Sequence, residues 1–267
     1  MFASLAADNA APFYRGLGAY LAAALGRSVR LLDEHPWQER ERMLMRGEAH
    51  VGVVCGLQYV LAQHDLKLLA APVMRGQRYG QRPVYFSDVV VRSDSAVRSF
   101  EDLRGARFAV NEPTSHSGYG IVRYALATRG LDRSFFGSIV ETGAHERSLR
   151  LILDGAVDAA AIDSTVLETD LRALPTLASR LRTVATLGPS PIPPLVASRL
   201  LPIEVRDACA AALLRLHTEP AGAAVLAAGD VARFTAVSDA DYEPIRLMAR
   251  QAEGVRFDQA AAAALGV

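Results

Sequence analysis

Short apolar runs alternate with longer stretches of helical periodicity along the whole chain. That alternation restricts the fold more than any other feature. Residues 1–6, 29–32, 51–55, 66–73, 84–91, 107–110, 137–141, 159–162 and 181–187 read as strands. Residues 12–25, 37–46, 57–63, 99–103, 118–129, 146–153 and 165–174 read as helices, several of them closed by a glycine such as Gly26, Gly47, Gly105 or Gly155. Three further helices follow, at 203–217, 220–228 and around 241–251. A repeated strand–helix order predicts an α/β fold in which mixed sheets are flanked by helices.

Two segments read as crossings between lobes: 84–92, and 187–196, whose run Pro189-Ser-Pro-Ile-Pro-Pro194 stiffens an extended connection. The expected division is a discontinuous first lobe, 1–88 plus 190–267, and a continuous second lobe, 89–189. A chain of 267 residues is long enough for two such lobes.

Lys plus Arg equals Asp plus Glu at 29 each, so the formal net charge is zero and no basic stripe calls for nucleic acid. No apolar run reaches the roughly 18 residues of a membrane span, so direct membrane insertion is not expected. The opening residues Met1-Phe-Ala-Ser-Leu5 read as a strand, not as a basic-plus-apolar leader. The expected location is periplasmic if a leader was removed, and cytoplasmic otherwise. Cys55 and Cys209 read as buried free thiols, and no Cys/His spacing calls for a metal.

The chemistry concentrates in Asn111-Glu-Pro-Thr-Ser-His-Ser-Gly-Tyr119, between a strand and a helix. Unpaired N–H groups and the positive end of the dipole make a helix start attractive to anions. Ser115, Ser117 and the amides of 116 to 118, with Gly118 allowing close approach, form a candidate oxyanion cradle; the other reading is an ordinary N-cap. Two more strand–helix turns carry His145 and Asp163. The carboxyl ends of strands in an open α/β sheet face the binding crevice, so these turns fall at one edge. His145 is a donor for an anion. Asp163 accepts from a protonated ligand oxygen, orients His145, or caps its helix. Trp37, Tyr59 and Tyr85 form an aromatic wall, with Tyr85 adding a hydroxyl, or, for Trp37 and Tyr59, pack in a core.

Tyr85-Phe-Ser-Asp-Val-Val-Val-Arg-Ser-Asp-Ser95, Glu101-Asp-Leu-Arg-Gly105, Ser115-His-Ser-Gly118, Gly143-Ala-His-Glu146 and Gly155-Ala-Val-Asp-Ala-Ala160 together resemble the phosphonate-binding (PhnD-like) substrate-binding proteins of ABC uptake systems. The resemblance implies a two-lobed type II periplasmic-binding fold with two crossover hinges. It also implies lobe closure on a phosphonate, phosphite or phosphate-like oxyanion without catalysis or cofactor, and an ABC permease as partner. Carried over, Ser115, the His116 amide, Ser117 and His145 hold the oxygens, Tyr85 joins them, and Trp37 stands where the family has an aromatic residue. The chain departs from the family in having His116 where Thr is frequent. It also lacks an acid in the proline-rich crossover, which favours a ligand without an amine. The alternatives are an enzyme of cofactor-biosynthesis type, with His145 and Asp163 as acid and base, and a cytoplasmic ligand sensor.

Overall fold

A computed structural model describes residues 1–4 and 7–257. The chain forms two compact units, one from Met1–Tyr85 and Pro189–Ile245, the other from Phe86–Gly188 and the residues from Arg246 on.

The first unit opens with β1 (Phe2–Ser4), α1 (Ala11–Leu25), α2 (Trp37–Met45), β2 (Val51–Val53), α3 (Gly56–Ala62) and β3 (Leu66–Met74). Pro12 near the start of α1 loses no helical hydrogen bond, and Gly26 ends the helix in the left-handed conformation at φ 60°. The expected strand at 29–32 is reduced to a single bridge between Leu31 and Phe2. The last two residues of the expected first strand, 5 and 6, lie outside the described residues.

β4 (Val84–Arg92) carries the chain into the second unit. There follow β5 (Arg107–Val110), a π-turn (His116–Gly120) leading into α4 (Ile121–Ala127), β6 (Ser138–Glu141), α5 (His145–Leu153), β7 (Ala159–Asp163), α6 (Ser164–Ala173) and α7 (Leu177–Arg180). β8 (Leu181–Pro191) returns to the first unit, which β9 (Leu195–Ser198), α8 (Ile203–Arg215), α9 (Pro220–Ala228) and β10 (Val231–Thr235) complete. α10 (Glu243–Gln251) passes back into the second.

β9 and β10 have no counterpart in the sequence reading. β9 occupies the centre of the first sheet, whose order is β1-β2-β9-β3-β10, and runs antiparallel to both neighbours. The proline run extends β8 through Pro191 instead of forming an unpaired link. The tail also departs from the expected grouping of 190–267. The Arg123 guanidinium donates to the carbonyls of Ala252 and Val255, and Phe257 packs edge-on against Tyr119, so residues 246–257 belong to the second unit.

The second sheet has the order β6-β5-β7-β4-β8. β5 is parallel to β6 and β7, and β4 is antiparallel to β7. Side chains alternate in period two, so each strand feeds two cores. Val89, Val91, Phe108, Val110, Ala159 and Ala161 pack on one face with Phe100, Phe136 and Val122. Val90, Ala109, Ala160 and Ile162 pack on the other with Leu149, Ile152 and Leu167. Burial on both faces explains why these strands read as continuous apolar runs.

Candidate functional site

The parallel strands β5, β6 and β7 end together, so the turns after Val110, Glu141 and Asp163 share one edge of the second sheet. The Thr142 N–H donates to the Val110 carbonyl at 2.8 Å and ties the ends of β5 and β6. β4 runs the other way, and Ser87 near its start pairs with Asp163.

In the first turn, Ser115 caps the π-turn, its Oγ accepting from the Gly118 N–H at 3.2 Å. Ser87 Oγ donates to the Ser117 carbonyl at 2.6 Å. Ser117 Oγ lies 3.0 Å from His145 Nε2. Ser115, His116, Ser117 and His145 are all buried. Gly118 is required by close approach, because a Cβ there would come within 2.6–2.8 Å of three Asn111 side-chain atoms.

In the second turn, Gly143 adopts φ 72° and delivers His145 as the first residue of α5. Burial lowers the His145 pKa to about 4, and does the same for His116. Both rings are therefore neutral near pH 7. His145 Nδ1 is buried with no hydrogen-bond partner.

In the third turn, Asp163 Oδ1 accepts from the Thr165 N–H at 2.8 Å and the Thr165 hydroxyl at 2.7 Å, which makes it the N-cap of α6. Burial pushes its pKa up to about 6 against these hydrogen bonds, and Asp88 adds to the rise. Asp163 bonds neither ring nitrogen of His145. The expected alternative in which Asp163 orients the His145 ring through a direct hydrogen bond is thus not what this turn forms.

Trp37, Tyr59 and Tyr85 belong to the first unit. Trp37 starts α2 and is half-buried, and Tyr85, on β4, is fully buried. Tyr59 donates to Asp239 Oδ1 at 2.9 Å and stacks edge-on with Tyr242. It lines a pocket of about 420 Å³ with Gln63, His64, Lys67 and Asp239. Cys55 and Cys209 are free thiols; Cys55, half-buried, caps α3. No helix among the described residues is long and apolar enough to cross a membrane.

Two α/β units linked by strands, with serines and a histidine gathered at the carboxyl edge of a mixed sheet, have the fold of the type II periplasmic binding proteins. Residues 1–242 match the family described as "ABC transporter, phosphonate, periplasmic substrate-binding protein", and the chain belongs to that family. Solved structures agree on the fold. The binding protein component of an ABC phosphonate transporter from Pseudomonas aeruginosa superposes with a TM-score of 0.84 at 19% identity, covering 94% of this chain and 85% of that one. PhnD1 from Prochlorococcus marinus, in complex with methylphosphonate, gives 0.81 at 18% identity, covering 95% and 98%. XAC2383 from Xanthomonas citri, bound to ATP, gives 0.73 at 16% identity, covering 94% and 96%.

Proposed function

We propose that this chain binds a small phosphorus oxyanion, a phosphonate, phosphite or phosphate-like ion, and hands it unchanged to an ABC permease. The buried Ser117–His145 pair carries this reading. A neutral imidazole and a hydroxyl hold two protons and share one hydrogen bond. If Ser117 donates to Nε2, Nδ1–H is left without an acceptor. In the other tautomer, the Ser117 hydroxyl proton is left over. Either way one buried donor is available, and an anion is the natural acceptor. Ser115, the His116 amide and Gly118 complete the cradle. Asp163 stands at its rim chiefly as a helix cap. Trp37, Tyr59 and Tyr85 are the contribution proposed from the first unit, with Tyr59 the weakest because its hydroxyl already serves Asp239.

Closure of the lobes about the crossing strands β4 and β8 is the proposed response to ligand, driven by contacts made only in the closed state. The periplasmic role follows the family.

A thermal-shift and calorimetry screen tests the reading. Its ligands are phosphate, phosphite, methylphosphonate, 2-aminoethylphosphonate, sulfate and an alkylsulfonate. A true ligand raises stability by mass action, about 2.7 kcal/mol at a concentration of 100 Kd, and is recovered intact. Silence with every phosphorus oxyanion, or turnover of the one that binds, defeats the proposal.

A further inference from the structure

Asn111, the first residue after β5, stands apart from the cradle residues already named. It is 6% exposed, and its Oδ1 is fully buried with no hydrogen-bond partner. Its backbone N–H donates to the Gly118 carbonyl at 3.0 Å. Its side chain lies directly against the Gly118 Cα: a Cβ there would meet Asn111 Cγ at 2.6 Å and Oδ1 at 2.8 Å. The amide therefore forms the floor of the same turn that carries Ser115 and Ser117. Thr114 Oγ1 and His145 Nδ1, on the same turns of this sheet edge, are likewise buried without a hydrogen-bond partner.

Buried side-chain amides without partners are uncommon and destabilising. An apolar side chain would fill this floor without leaving a polar atom unmet. Resting on the oxyanion reading above, we propose that Asn111 contacts the bound ligand and selects protonated phosphorus oxyanions over sulfate and sulfonates. The physical basis is the inventory of the amide. Its oxygen only accepts, so it is satisfied only by a ligand that brings a proton, while its NH2 donates to an unprotonated oxygen. A hydrogen phosphonate offers both partners. Sulfate and alkylsulfonates at neutral pH offer acceptors alone. A site that demands a donor from its ligand rejects the analogue lacking one, because the buried acceptor is then left unpaired.

The test compares wild type, Asn111→Ala and Asn111→Asp. Affinities for methylphosphonate and methanesulfonate are measured by calorimetry, and melting temperatures without ligand. Asn111→Ala is expected to weaken methylphosphonate at least tenfold and to narrow its preference over methanesulfonate, with ligand-free melting unchanged or raised. Asn111→Asp is expected to bind methylphosphonate more weakly than wild type at pH 8, where a carboxylate faces the anion, and to close that gap, measured against wild type at the same pH, as the pH is lowered and the introduced acid protonates. If the ligand-free melting of Asn111→Ala drops along with its affinity, the pH recovery of the Asp variant decides. Affinities and selectivity within threefold of wild type in both variants overturn the inference and assign Asn111 to packing alone. A wild type that binds no phosphorus oxyanion overturns it as well, and that outcome is separately recognisable as the failure of the functional reading itself.

Discussion

Ser117 Oγ stands 3.0 Å from His145 Nε2, so one buried hydrogen bond joins the turn after β5 to the first residue of α5. Each residue orients the other. Ser117→Ala and His145→Ala should each weaken oxyanion binding at least tenfold, about 1.4 kcal/mol. The double variant should lose less than the sum of the two, as residues sharing one contact do. Isothermal titration with methylphosphonate measures all three. Wild-type affinity in both single variants would place the site elsewhere.

Acidification should destabilise the protein over a defined window. His116 and His145 fall to about 4 in the fold from an unfolded value of 6.5, so between those limits the unfolded chain holds two more protons. Asp163 is raised to about 6 from 3.8, so the folded chain holds one more. The histidines favour the fold above 6.5 and lose that contribution as pH falls. Asp163 penalises the fold above 6 and is relieved below it. From these three groups, stability should rise by roughly 1.4 kcal/mol per pH unit between about 4 and 6. Denaturant melts at half-unit intervals, compared with a His116→Gln/His145→Gln variant, report the difference; equal slopes would contradict the burial of neutral rings.

Gly118→Ala should both destabilise the second unit and remove the ligand response. The new methyl collides with Asn111, and overpacking of this kind typically costs about 1–3 kcal/mol. Circular-dichroism melting and the anion-induced shift should fall together. An unchanged melt would mean that the turn has room that the close contact denies.

Asp163→Ala and Asp163→Asn should part in opposite directions. Alanine removes the acceptor for the Thr165 N–H and should cost on the order of 1 kcal/mol. Asparagine keeps an acceptor and removes a charge that burial opposes, so at pH 8 it should match or exceed wild type, with the gain fading as the pH falls from about 6 to about 4. An asparagine variant less stable than the alanine one would refute the capping role.

Much of the fold is legible because the second sheet is buried on both faces, which makes β4, β5 and β7 stand out as apolar runs. The three turns could be placed at one edge because strands in such repeats run parallel. β9 was hidden by four residues following a proline run, and its identity as a central strand rests entirely on pairing with distant β2 and β3. β10 mixes Arg233 into five residues and has no clean alternation. The Ser117–His145 bond has no local signal, since 28 residues separate the partners. Asn111 escapes for a different reason: an asparagine after a strand reads as an ordinary turn residue, and only the folded structure shows its amide oxygen buried without a hydrogen-bond partner.

The position of β9 bears on how the molecule is made. β2 and β3 each pair with β9 and not with each other, yet the ribosome must add the 120 residues 75–194 between finishing β3 at Met74 and starting β9 at Leu195. At about 5–20 residues per second that interval lasts on the order of ten seconds. Throughout it, the emerging chain carries two strands with open flanks, the kind of surface on which chaperones act. The insert between them carries every strand of the second sheet and can pair it meanwhile, while Val255 and Phe257 join that sheet's core only when the end of the chain emerges.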